Sequence, residues 1–298
     1  MTKMKQLQAD LALLAVTVVW GATFVVVQDA LSGIGPYFFT GIRFAIAFAL
    51  LGLIYFRRLA NLDRATLRAG CLIGVILFAG YAFQTVGLKY TTASNAGFIT
   101  GLAVVLVPVF TSLITKQLPA PAVLLGVTGA TLGLALLSLG DNLSVNYGDV
   151  LTFFCAVSYA GHILLVGRYA PRHDPVLLAI LQIGTVAVIS LLFGLCLETL
   201  PAQFSKPVWQ GLIITAIPAT ALAFLIQNSV QRYTSPTHAA IIFITEPVFA
   251  AATAWLVAGE VLTTRQWVGC LLILAGMLVA ELKDYLFNVT KIKQARET

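Results

Sequence analysis

Ten apolar stretches, each long enough to cross a bilayer as a helix, occupy almost the whole chain and leave only short connections between them. Crossing about 30 Å of hydrocarbon takes about 20 helical residues. The stretches fall at approximately 10–30, 36–56, 68–88, 93–115, 119–139, 149–169, 175–197, 208–231, 235–259 and 265–284. In lipid every backbone N–H and C=O must be satisfied within the protein, which restricts such a chain to helices here. The expected fold is an all-α membrane protein with ten transmembrane helices, and no connection is long enough to hold a soluble domain. Hydrophobic residues make up 59% of the 298 residues and charged residues 10%, with a mean hydropathy of +0.93. These values exclude an ordinary soluble domain.

The second five stretches read as a degenerate copy of the first five. Asp10 and Asp149, Trp20 and Tyr159, and Pro36 and Pro175 each stand 139 positions apart. FQTVGLKYT at 83–91 overlays IQNSVQRYT at 226–234, pairing Gln84 with Gln227 and Tyr90 with Tyr233 at a spacing of 143. Pro108 and Pro247 return to 139, and the glycine pairs Gly126/Gly269 and Gly133/Gly276 stand at 143. A change of four residues is about one helical turn and roughly keeps the facing of the aligned helices. Five helices per copy is an odd number, so the two copies enter the membrane in opposite orientations. The sequence therefore divides into a first repeat at 1–140, a second, inverted repeat at 141–286, and a tail at 287–298. Two inverted repeats around a midplane site are the plan of a secondary transporter.

The net charge of +6 does not point to nucleic acid, because the basic residues lie in the connections and form no stripe. With the N-terminus in the cytoplasm, that side collects 14 of the 18 Lys and Arg residues, and the other receives Lys89, Lys206 and Arg265. Both termini are accordingly expected inside, in the cytoplasmic membrane. Arg43 alone falls well within a span. The first stretch follows Lys3 and Lys5 as a signal peptide would, but its length and the stretches behind it favour a retained helix. Cys71, Cys155, Cys196 and Cys270 are singly placed and read as small buried hydrophobes, without the pairing of a metal or redox site.

Several segments together resemble the drug/metabolite transporter superfamily, and within it the ten-helix EamA-type transporters. They are VVWGATFV at 18–25, Arg43-Phe44, LKYTTASNAGFITGL at 88–102, VLVPVF at 105–110, TEPVFAAATAWLVAGE at 245–260 and RQWVGCLLILAGMLV at 265–279. The resemblance covers the whole chain. It implies two inverted five-helix bundles around a central cavity, and proton-linked or facilitated movement of small metabolites, frequently efflux. It implies no particular cargo.

The residues themselves supply candidates for that work. Glu246 sits near the middle of the ninth stretch, beside Pro247, which cannot donate to the carbonyl of Phe243. A midplane carboxylate beside a loosened helix suits proton coupling, because the low dielectric disfavours its charged form; an architectural carboxylate is the alternative, and the first repeat has Val107 there. Arg43 lies roughly 10 Å inside the second stretch and has three candidate roles: snorkelling, an internal ion pair, or contact with an anionic cargo group. Its counterpart is Gln182. Trp20 and Tyr159 fall near the bilayer centre, away from the interfaces where aromatic belts belong. They read as cavity walls or as packing between repeats. Gln84 and Gln227 are placed towards opposite faces and suit paired gates or interhelical hydrogen bonds. Tyr81 joins the cavity candidates, as does His162, which overlays Thr23 and is either a cargo contact or a hydrogen-bonded core histidine. Asn95 and His238 correspond as helix-entry caps. Gly129 with Gly133, and Gly70 with Gly74, have the spacing of close helix contacts.

No GxxxxGK[ST] loop occurs, so an ion or solute gradient is the remaining energy source. No HExxH or GxSxG motif suggests hydrolysis, and neither a cofactor nor a metal site is expected. A cavity with one cation does not suit phosphorylated cargo, which calls for several. The expected function is secondary transport of an amino-acid-like or amphipathic solute, outward, with protons as the candidate coupling ion. A passive facilitator using the same cavity is the alternative, and a membrane scaffold a third.

Overall fold

A computed structural model describes residues 3–91, 93–138, 147–257 and 263–279; the tail at 287–298 lies outside the described residues. All regular structure among them is helical. Helices α1 (Lys3–Ala30), α2 (Pro36–Ile54), the short α3 (Phe56–Leu59), α4 (Arg64–Gly87), α5 (Ala93–Gly101), α6 (Ala103–Thr115) and α7 (Pro121–Ser138) make up the first half. The second half contains α8 (Tyr147–Tyr169), α9 (Pro175–Leu197), α10 (Lys206–Ala216), a π-helical turn at Ile217–Leu222, α11 (Ala223–Gln231), α12 (Pro236–Phe243) and α13 (Glu246–Val257). A last apolar helix, α14, spans Thr264–Val279. Six helical runs are long and apolar enough to cross a membrane: Gln6–Ala30, Pro36–Ile54, Arg64–Gly87, Tyr147–Tyr169, Pro175–Leu197 and Lys206–Gln231.

Local chemistry sets the helix starts. Pro36 and Pro175 open α2 and α9, where a missing N–H costs nothing and the fixed φ already suits a helix. The Asp174 side chain accepts from Val176 N at 2.8 Å, and Asp63 caps α4 through Thr66 N. The start of α2 is satisfied from outside: Glu198, just past α9, accepts from Tyr37 N and Phe38 N, each at 2.9 Å. At the other end of the same pair, Arg58 beyond α2 reaches the α9 cap Asp174 at 2.9 Å.

The structure departs from the sequence reading in three places. α1 begins at Lys3, a good two turns before the apolar stretch, because Gln6 and Asp10 find partners in Thr234 and His238. The fourth and ninth stretches are each broken, at Leu102 and at Ile244–Thr245, upstream of Pro108 and Pro247. Pro247 cannot donate to the Phe243 carbonyl, which adjoins the break at Ile244–Thr245, whereas Pro108 lies inside α6, six residues past the break at Leu102. Cys155 and Cys270 are buried as expected, but Cys71 is half-buried and Cys196 is exposed. Cys196 shares the outward face of α9 with Leu192 and Leu195, the latter 72% exposed.

Glycine contacts fix the relative directions of the helices. From Phe48 back to Phe38 on α2, the facing glycine advances from Gly184 to Gly194 on α9, so these two run antiparallel. Gly70 and Gly74 of α4 meet Leu181 and Thr185 of α9 in rising order, so α4 and α9 run parallel. On α7 and α14 the contact is reciprocal: a Cβ built on Gly133 would lie 2.6 Å from the Gly269 carbonyl oxygen, and one on Gly276 2.6 Å from that of Gly126. Large apolar side chains such as Leu53, Leu113 and Leu271 cover the outside, where a bilayer removes the cost of exposing them to water.

Candidate functional site

A cavity of about 240 Å³ lies between α1, α2, α4, α8, α11 and α13. It reaches one end of the molecule, marked by Gln28 near the end of α1, Leu88 just past α4 and Gln266 at the start of α14. The opposite end, where α1 begins, is sealed. There Gln227 Nε2 donates to Gln231 Oε1 at 3.2 Å, and Gln231 Nε2 donates to the Ile163 carbonyl at 2.6 Å. Beyond them Asp10 Oδ1 and His238 Nε2 stand 2.9 Å apart, and Gln6 Nε2 donates to Asp10 and to Thr234 Oγ1. Thr17 and Thr245 hydroxyls, 3.1 Å apart, tie α1 to the broken helix above this seal.

Arg43 projects from α2 into the cavity wall and is 4% exposed. It donates through Nε to Thr220 Oγ1 at 3.1 Å and through Nη2 to the Tyr81 hydroxyl at 3.3 Å. Its guanidinium lies 5.2 Å from the Phe44 ring centroid and 5.0 Å from that of Tyr81. It neither snorkels to an interface nor forms an ion pair among the described residues. Thr220 belongs to the π-helical turn that Pro218 opens. Such turns widen a helix locally and often occur at functional positions; this one also presents the Ala219 carbonyl, which accepts from Trp20 Nε1 at 2.8 Å.

The aromatic wall is continuous with this arrangement. Trp20 packs between Phe224 and Phe243, with ring centroids 5.7 and 5.4 Å away. Tyr159 meets Tyr81 edge to face and donates its hydroxyl to Gln84 Oε1 at 3.1 Å. Gly80 makes room for it: a Cβ there would fall 2.3 Å from the Tyr159 ring. His162 also lines the cavity, its Nε2 lying 2.8 Å from Gln182 Oε1. Gln84 sits towards the mouth and Gln227 towards the seal, so the two corresponding glutamines border opposite ends of one cavity.

Glu246 begins α13 directly after the break and faces the cavity from the wall formed with Pro247, Ala250 and Ala251. Its side chain is half-buried and has no hydrogen-bond partner among the described residues. Gly21 lets α1 approach this break closely, since a Cβ there would lie 2.6 Å from the Glu246 carbonyl oxygen.

All eight residues singled out from sequence therefore border one cavity: Trp20, Arg43, Tyr81, Gln84, Tyr159, His162, Gln227 and Glu246. The expected helix-entry caps fare differently. Ser235 caps α12 by accepting from His238 N, and the His238 ring serves the seal instead; the Asn95 side chain lies outside the described residues. Sequence reasoning passed over Thr23, Thr100, Phe224 and Phe243 in the wall. It also passed over Thr220 in the π-helical turn, although the proline of the IPATAL segment at 217–222 marks that turn within a span.

Helices with an apolar exterior, a central cavity open at one end and a cation and a carboxylate in its wall define a multi-pass membrane protein of the transporter type. The chain belongs to the EamA-like transporter family of the drug/metabolite transporter superfamily, whose model matches residues 7–139 and again 146–281. A relative from Archaeoglobus fulgidus, described as an uncharacterized transporter, is 37% identical over 94% of this chain and 87% of its own length. The Escherichia coli K12 protein described as the uncharacterized inner membrane transporter YedA is 28% identical, over 93% and 91%. A solved crystal structure superposes with a TM-score of 0.78 over 92% of this chain and 98% of that one at 18% identity, a likeness of fold alone.

Proposed function

We propose that this chain is a secondary transporter that moves a small organic metabolite, amino-acid-like or amphipathic, outward across the cytoplasmic membrane by alternating access. Ten spans form two inverted bundles, 1–140 and 141–286, with both termini in the cytoplasm and the cavity mouth facing out. The observation that carries this reading is the one-ended cavity, walled by Trp20, Tyr81 and Tyr159 and sealed below Gln227. A carrier must expose its site to one side at a time, and a seal across the other end supplies that condition. The reciprocal contacts of Gly133 with Gly269 and of Gly276 with Gly126 support inverted repeats, because exchanging the halves maps one contact onto the other. Glu246, at the break in the ninth span and open to the cavity, is the coupling carboxylate of this scheme.

Counterflow in proteoliposomes tests the reading: solute trapped inside accelerates uptake of labelled solute through a carrier and leaves flux through a passive pore unchanged. Glu246→Gln is expected to abolish proton-dependent transport while the protein stays folded. Proton dependence equal to wild type would remove Glu246 from coupling, and absence of counterflow would favour the passive facilitator.

A further inference from the structure

Arg43 is the sole buried Lys or Arg among the described residues, and each of its partners there, Thr220, Tyr81 and the Phe44 ring, is neutral. A buried guanidinium without a counter-ion is costly, and chains that keep one usually supply the missing charge. Glu246 does not supply it: it lies on the α13 wall of the same cavity, and no ion pair joins the two. Two of the five N–H donors of the guanidinium are engaged, by Thr220 and Tyr81. Packing against the Phe44 and Tyr81 rings fixes the plane of the group, so the remaining donors are held in place at the cavity wall. A planar fork with spare donors matches a carboxylate.

On the transporter reading above, we propose that Arg43 binds the carboxylate of an organic acid cargo, whose aromatic or otherwise apolar body lies against Trp20, Phe224 and Phe243. A phosphate monoester is the wrong match, because no second Lys or Arg lines the cavity to balance its additional charge. The volume of about 240 Å³ lies below that of drug-sized sites and suits a small molecule. An amino group on the cargo falls towards the Glu246 side and is not required for binding.

The test is ligand binding to the purified protein in micelles, followed by thermal shift, which needs no transport. The probes are 3-phenylpropionate, which has the carboxylate alone, phenylalanine, which has both groups, and phenethylamine, which has the amine alone. Both carboxylates are expected to raise the apparent melting temperature, and phenethylamine is not. Arg43→Gln, which installs the residue found at the corresponding position 182, is expected to weaken carboxylate binding at least tenfold. Arg43→Lys keeps the charge without the fork; it retains the preference for acid over amine at lower affinity, and decides the matter if Arg43→Gln does not fold. Stabilisation by the amine equal to that by the acids, no stabilisation by either acid, or undiminished acid binding by folded Arg43→Gln would each overturn the proposal. Counterflow of other solutes would survive those results, so failure of the anion site is separable from failure of the transporter reading.

Discussion

Asp10 and His238 are joined at 2.9 Å across the end of the molecule opposite the cavity mouth, bringing the first turns of α1 against the start of α12. A related but not identical contact exists in the other half: Asp149, which repeats Asp10, accepts directly from Thr91, whereas Thr234, which repeats Thr91, is bonded by Gln6 beside Asp10. An acid near the start of the first long helix of each half thus lies against the segment that leads into a broken helix of the other. The Asp10 link closes the sealed end, and its removal should let that end open more often. Asp10→Asn is expected to speed amide exchange at residues 231–239 by about two- to fivefold, the change produced by about 0.5–1 kcal/mol from a partly exposed pair. Exchange confined to wild-type rates there would show that Gln231 and the Gly167–Pro236 contact hold the seal alone.

The α7/α14 contact gives a second prediction. Gly133→Ala and Gly276→Ala each place a methyl group against a backbone carbonyl that cannot move aside, and overpacking of this kind costs about 1–3 kcal/mol. Gly52 of α2 has nothing within 4 Å of its virtual Cβ, so Gly52→Ala should stabilise by about 0.5–1 kcal/mol through lower backbone entropy in the unfolded chain. Denaturant titrations in micelles compare the three. Equal effects at positions 52 and 133 would mean that α7 and α14 are not in close contact.

Much of this arrangement could be read from sequence because lipid penalises polar groups so strongly. A charged, amide or imidazole side chain inside a span has few places to go but the interior, and Arg43, Gln84, His162, Gln227 and Glu246 all border the cavity. The aromatic wall was harder to see. Phe224 and Phe243 face inward while Phe48 and Phe193 face outward, and in helices apolar all round no periodic pattern separates the two sets. Thr23 and Thr220 were hidden for another reason: a threonine can satisfy its hydroxyl on its own helix, as Thr23 does on the Trp20 carbonyl. The helix breaks were half visible, since Pro108 and Pro247 announce a disturbance but not that it falls a few residues upstream.

Outside the membrane, Asp63 offers a test by pH. Its carboxylate caps α4, and the hydrogen bond from the Thr66 backbone, followed by that from the Thr66 side chain, holds its pKa below the ordinary carboxylate value. A depressed folded pKa means the cap is fully present above the unfolded value and is lost as pH falls through the folded one. Protection of the amides in the first turn of α4, corrected for the intrinsic slowing of exchange in acid, should therefore fall below the range where free carboxylates titrate. Asp63→Ala should show that lower protection already at neutral pH, with no further fall on acidification. An acid response retained by the variant would assign the effect to a group other than Asp63.

Trp20 links the aromatic wall to the π-helical turn, and its two functions can be separated. Trp20→Phe keeps an aromatic ring between Phe224 and Phe243 and removes the donor to the Ala219 carbonyl. A carbonyl in a buried turn that loses a partner destabilises by about 1 kcal/mol, equivalent to about 2 °C in Tm for a chain of this size. The cavity should respond as well, because the residue after Ala219 is Thr220, the acceptor for Arg43 Nε. A looser turn holds that guanidinium less firmly, so Trp20→Phe should weaken carboxylate binding two- to threefold while Trp20→Leu, which also removes the stacking surface, weakens it further. Loss of stability with unchanged carboxylate affinity would show that the turn and the Arg43 site are mechanically independent, and that the wall alone decides how the cargo lies.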